Sequence, residues 1–112
     1  MSASSHMTEL TFNILVALTE APLHGYALVA RLRELEGRDA LRTGTVYAAL
    51  ARLRDEELVE ETAPPADETD ARRRYYRVTE DGLVAARAEA ARLADVVERA
   101  RGLRLLEAID RA

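Results

Sequence analysis

Arg42-Thr-Gly-Thr-Val-Tyr-Ala-Ala-Leu-Ala-Arg-Leu53 and, further along, Arg72-Arg-Arg-Tyr-Tyr-Arg-Val-Thr-Glu-Asp-Gly82 decide the fold. In the first stretch Val46, Leu50 and Leu53 recur at a spacing of four then three, which is the inner stripe of a helix. Thr45, Ala48, Ala51 and Arg52 fall mostly on the opposite, small and partly basic side. The second stretch alternates as a strand, with Tyr76 and Val78 on one face and Tyr75 and Arg77 on the other. It stops at Thr79, a good helix N-cap, followed by Glu80 and Asp81 where the helix dipole favours acids. A helix able to enter a groove beside an arginine-rich hairpin is what a winged helix-turn-helix needs to hold duplex DNA.

The flanking chain fits the same plan. Thr8 caps a helix to about Glu20, with Leu10, Ile14, Leu15, Ala17 and Leu18 at helical spacing. Pro22 ends it by disfavouring helical geometry at Ala21. A second helix runs from about Gly25 to Glu36, its buried stripe Leu28, Leu32 and Leu35 flanked by Tyr26 and Val29, and Gly37 closes it. Thr43 is expected to cap the third helix. Leu58–Thr62 and Arg74–Val78 form a two-stranded hairpin around a loop broken by Pro64 and Pro65, and such a hairpin must pack on the helices.

After Thr79, apolar residues continue at threes and fours from Leu83 to Ile109. That pattern predicts one helix to about Asp110, on the order of 45 Å long at 1.5 Å per residue. Its far stripe, Leu93, Val97, Ala100, Leu103 and Leu106, outreaches a compact domain and calls for a second copy of the chain. A helix folded back at Gly102 is the alternative. The expected class is therefore mainly α (α+β): a winged helix-turn-helix over residues 8–79 and a C-terminal dimerisation helix over 80–112. Residues 1–7 read as an expression-tag remnant before a start at Met7.

The 112 residues suit one domain, and 48% hydrophobic with 32% charged residues is a globular balance. With no Cys, disulfides and thiolate–zinc sites are excluded. There is no membrane-length apolar run and no secretory segment, so a cytoplasmic protein is expected. No nucleophile–base pair, metal-ligand cluster or glycine-rich phosphate loop points to catalysis, and no cofactor is expected. His24 reads as a turn or core residue.

Net charge is −4, which argues against indiscriminate nucleic-acid binding. The distribution matters more. Arg38, Arg42, Arg52 and Arg54 form one basic island and Arg72, Arg73, Arg74 and Arg77 another, separated by two acidic runs. Every basic residue is Arg, so a phosphate contact would be a guanidinium. The expected DNA-binding set is Arg42, Thr43, Gly44, Thr45, Tyr47, Ala48 and Arg52 on the third helix with Arg72, Arg73 and Arg74 on the wing. Gly44 removes bulk where the backbone could approach a phosphate.

Leu23-His-Gly-Tyr26, Gly44-Thr-Val-Tyr-Ala-Ala-Leu-Ala-Arg-Leu53 and Arg73-Arg-Tyr-Tyr-Arg-Val-Thr-Glu-Asp-Gly82 together resemble the PadR family of bacterial transcription regulators. The first resembles the entry to the family's second helix, the second its recognition helix, and the third its wing strand. The resemblance covers about residues 8 to 110. It implies a homodimer of the short form on a pseudo-palindromic operator. It also implies repression of a neighbouring gene and release by a phenolic or drug-like effector. Three departures stand out, the first being a wing tip whose Asp67, Glu68 and Asp70 would repel phosphate and point away from DNA. Glu57 occupies the turn where relatives have Gly, so a different local turn is expected. The chain lacks Trp and its C-terminal helix lacks aromatics, so a wide aromatic sandwich for a flat ligand is not expected. The competing reading is a winged-helix protein-interaction module without specific DNA binding.

Overall fold

The computed structural model describes residues 7–37 and 41–111. Residues 1–6 of the expected tag remnant and Arg38 of the first basic island lie outside the described residues. The order of elements is α1 (Glu9–Glu20), β1 (Leu23–His24), α2 (Gly25–Glu36), α3 (Thr43–Asp55), β2 (Val59–Thr62), β3 (Tyr75–Val78), α4 (Glu80–Gly102) and α5 (Glu107–Asp110). One core joins α1, α2 and α3. Ile14, Leu15 and Leu18 meet Leu28, Val29 and Leu32, and both sets meet Val46, Ala49, Leu50 and Leu53. Val59 and Tyr76 of the sheet close it. Met7 packs against this cluster.

Caps are where local chemistry is most legible. The Thr8 hydroxyl accepts from Thr11 N–H, and the Thr79 hydroxyl accepts from Gly82 N–H. Gly37 takes the left-handed conformation that ends α2. Thr43 does not cap α3. It is the first helical residue, and Arg42 stands at the cap with no side-chain bond. The Arg42 carbonyl accepts from the N–H groups of Thr45 and Val46. Leu35, expected in the buried stripe of α2, lies at its exposed edge.

The sheet has three strands, not two. β3 is central and antiparallel to both neighbours, in the order β1-β3-β2. The third strand is the short extended step that Pro22 forces between α1 and α2. It brings His24 opposite Tyr75. The His24 ring meets the Tyr75 ring edge-on at 5.3 Å, while His24 Nδ1 accepts from Ala27 N–H and caps α2. His24 is therefore a cap that ties α2 to the wing. It also explains why Tyr75 and Tyr76 are both buried although they point to opposite faces of β3.

The turn after α3 keeps its left-handed form despite the missing glycine. Glu57 sits at φ 62°, with Glu57 N–H bonded to Arg54 C=O and Leu58 N–H to Leu53 C=O. A side chain in this region costs about 1 kcal/mol or more. Glu57→Gly is therefore expected to raise unfolding stability by about 1 kcal/mol in a denaturant melt, and Glu57→Ala to raise it not at all. Equal effects of the two would remove backbone strain as the cause.

The C-terminal helix is shorter than its apolar repeat suggests. α4 ends at Gly102, which makes it about 34 Å long. Arg104, not Gly102, takes the left-handed conformation at φ 65°. Leu105 N–H bonds to Ala100 C=O and closes the turn. Arg101 then holds Asp110 of α5 through two bonds of 3.1 and 3.0 Å, folding the last turn back on the first. Leu103 and Leu106 consequently lie in this turn rather than on a continuous helix face.

Candidate nucleic-acid interface

With Val46, Ala49, Leu50 and Leu53 turned inward, helical geometry puts Gly44, Ala48, Ala51 and Asp55 on the outermost ridge of α3. Thr45 and Arg52 flank this ridge on one side, Tyr47 and Arg54 on the other. All are exposed. No Cβ-sized obstacle lies within 4 Å of Gly44, so the start of the ridge is open. Tyr47 leans back over α2. Its hydroxyl occupies the place a side chain at Gly25 would take, only 2.0 Å from an ideal Cβ. This contact leaves the ring half-exposed and fixed beside Thr43, Tyr26 and Arg33 at a cleft of about 110 Å³. An Arg33 terminal nitrogen of α2 donates to the C=O of Leu41, just before α3, at 2.9 Å.

The wing arginines are not bare. Arg72 pairs with Asp70 at 3.2 Å, Arg73 with Glu68 at 3.3 Å, and Arg74 with Glu61 at 3.5 Å. The acidic residues that look separate in sequence are thus interleaved with the basic island in space. Among the described residues, Arg42 and Arg52 of the recognition-helix region have no ion-pair partner. Arg54, counted in the first basic island but not in the expected DNA-binding set, is exposed on this surface. It stands over the Tyr76 ring at 5.4 Å and shares Glu61 with Arg74.

Glu68 is the organising residue of the wing loop. Its side chain is only 6% exposed, and it accepts bonds from the Tyr75 hydroxyl, Asp70 N–H and Arg73. Led by the Tyr75 bond, these donors hold its carboxyl at about 2 instead of the ordinary 4.5. A carboxyl depressed on folding adds stability that is complete above about pH 4.5 and is lost as pH falls toward 2. The wing loop is therefore expected to lose amide protection between pH 4.5 and 2 in hydrogen exchange, and Glu68→Gln to lose it already at neutral pH. Equal protection of that variant and the parent at neutral pH would remove Glu68 from this role.

Away from the helix-turn-helix, α4 lies on α1 beside a cleft of about 450 Å³ lined by Met7, Phe12, Asn13, Glu89, Arg92 and Leu93. Arg92 holds the buried Glu89 at 2.6 Å. Past this cleft Val96 and Val97 are exposed, as are Leu103, Leu105 and Ile109 beyond the end of α4. Of the expected dimerisation residues, Leu93 and Ala100 are half-buried and Val97 and Leu103 exposed, with Leu106 half-buried at the start of α5. No helix of the described residues is long and apolar enough to cross a membrane.

This arrangement matches known proteins. The model of the transcriptional regulator PadR-like family covers residues 14–88. The chain belongs to that family. Its members are transcriptional regulators that bind DNA, not enzymes. A PadR-like transcriptional regulator from Bacillus cereus superposes with a TM-score of 0.74 at 26% identity, over 84% of this chain and 89% of that one. Halobacterial RosR (H. salinarum) matches at 0.67 and 27% identity over 100% and 98%. A PadR family transcription regulator from Clostridium difficile shares the fold, with a TM-score of 0.73 at 21% identity over 86% and 98%. Among curated proteins, an uncharacterised 37.1 kDa protein of a Streptomyces fradiae transposon is 46% identical over 46 residues, 41% of this chain. The match spans only 13% of that protein's length. For this PadR-family chain, the winged helix read from the two opening stretches is thus the observed fold.

Proposed function

We propose that this PadR-family protein is a repressor that binds a pseudo-palindromic duplex site as a homodimer. The observation that carries the reading is the outer face of α3: a ridge of Gly44, Ala48 and Ala51 framed by Arg42 and Arg52, two guanidinium groups with no carboxylate partner among the described residues. Small residues let the helix sit deep in a major groove, where Thr45 and Ala48 meet base edges. Arg42, Thr43 and Tyr47 then lie nearest the phosphates at the helix start, and Arg52 nearest those further along. Arg72, Arg73 and Arg74 reach the flanking backbone once their carboxylates yield.

A second copy covers the exposed valines of α4, with Leu93, Val97, Ala100, Leu103 and Leu106 at the contact. Two recognition helices then fall in successive major grooves about 34–36 Å apart. Release by a small effector is carried over from the family resemblance, and the cleft beside α1 and α4 is the place for it.

Mobility-shift titrations with the DNA upstream of the protein's own gene and its neighbours test this reading, at two salt concentrations and against excess scrambled duplex. Salt-sensitive retention of one fragment is expected, with two protomers per duplex by sedimentation. Absence of any preference over scrambled DNA would favour a protein-interaction module instead.

A further inference from the structure

We propose that Glu61 is a specificity-determining residue: its carboxylate restrains Arg54 and Arg74 so that the protein holds DNA of arbitrary sequence weakly. The proposal rests on the DNA-binding reading above. Glu61 lies opposite Tyr76 and Glu60 opposite Arg77, so alternation divides the two glutamates between the faces of the sheet. Val59, Glu61, Tyr76 and Val78 share one face, and buried Val59 and Tyr76 turn that face toward the helices. Arg54, in the last turn of α3, reaches Glu61 Oε2 at 3.5 Å while lying over the Tyr76 ring. Arg74, just before β3, reaches both oxygens of the same carboxylate at 3.5 Å. One acid thus stands between the recognition helix and the wing strand, the two elements that would embrace a duplex. Glu60 instead holds Arg77 at 2.7 Å on the far face.

Affinity for arbitrary DNA comes almost wholly from guanidinium and ammonium groups that neutralise phosphates. An arginine that already faces a carboxylate gains less from a phosphate, because the acid repels the newcomer or must be left behind. The two pairs are long and well exposed, so they open readily when base contacts hold a protein in register. Glu61 therefore lowers binding to every duplex, but by the larger factor where phosphate attraction is all there is. This gives the exposed guanidinium groups of an acidic chain a way to favour the right sequence.

The test compares Glu61→Gln with Glu60→Gln. Both change net charge equally, on opposite faces of the sheet. Anisotropy titrations would use a scrambled duplex and the fragment retained best in the mobility shift. For Glu61→Gln, affinity for the scrambled duplex is expected to rise about five- to tenfold and for the retained fragment about two- to threefold. Glu60→Gln should leave both within about twofold. Glu61→Ala should match Glu61→Gln, with circular dichroism confirming the fold of each. Equal gains from both glutamate sites would assign the effect to net charge, and no gain from Glu61→Gln would overturn the proposal while DNA binding stands. If no form of the protein binds either duplex at low salt, the DNA-binding reading falls and this one with it.

Discussion

Gly82→Ala is expected to destabilise the protein by about 3 kcal/mol, a large part of the stability of an ordinary domain. An ideal Cβ at Gly82 would stand 2.1 Å from the Leu58 carbonyl oxygen and 2.6 Å from Val78 Cγ2. The carbonyl cannot retreat, because it accepts from Thr79 N–H at 3.0 Å while Leu58 N–H is bound to Leu53 C=O. Gly82 cannot retreat either, since its own N–H is held by the Thr79 hydroxyl. The added methyl group must lift the start of α4 from the turn after α3. Gly44→Ala provides the contrast. A Cβ added there would meet no atom within 4 Å beyond its own turn of helix, and alanine there should stabilise α3 by up to about 1 kcal/mol. Chemical denaturation of both variants decides the matter. A Gly82→Ala midpoint within experimental error of the parent would show that the contact is not rigid.

The second large effect concerns DNA. Arg42→Ala and Arg52→Ala should each weaken binding to specific and scrambled duplexes alike by about tenfold, and together about a hundredfold. Each should flatten the salt dependence by about one unit of slope. These two arginines lead because no carboxylate offsets them among the described residues, whereas Arg72, Arg73 and Arg74 each face one. Thr45→Ala should instead change preference among sites by about 1–3 kcal/mol at one base pair. Titrations of the variants against a set of single-substitution duplexes separate the two behaviours. A salt slope unchanged by both arginine substitutions would take these residues off the phosphate backbone.

The amphipathic stripes of α1 and α3, the caps at Thr8 and Thr79 and the end of α2 at Gly37 were all legible in the sequence. Each depends on residues within one or two helical turns, so spacing alone reveals them. The same holds for the inward set of α3, and hence for its outward ridge. The turn at Glu57 was harder. A glutamate there argues locally against a left-handed conformation, yet the bond from Thr79 to the Glu57 carbonyl and the seating of Gly82 on Leu58 hold it. Tertiary contact outweighs a local penalty of about 1 kcal/mol.

The break in α4 misled periodicity for a related reason. Leu103, Leu106 and Ile109 continue an apolar repeat, but the Arg101–Asp110 pair closes a turn that no spacing rule contains. The pairing of β1 and the capping by His24 were hidden because two residues are too few to show a strand pattern. The electrostatics of the wing were hidden most deeply. Arg74 and Glu61 are separated by the whole loop, and only the register of β2 against β3 brings them together. By itself the sequence determined the first three helices, most of their inner faces, the family and the place of the basic groups along the chain. Which arginines are free and which are already neutralised was decided by tertiary structure, because charge pairing depends on distances of a few ångströms between residues far apart in the chain.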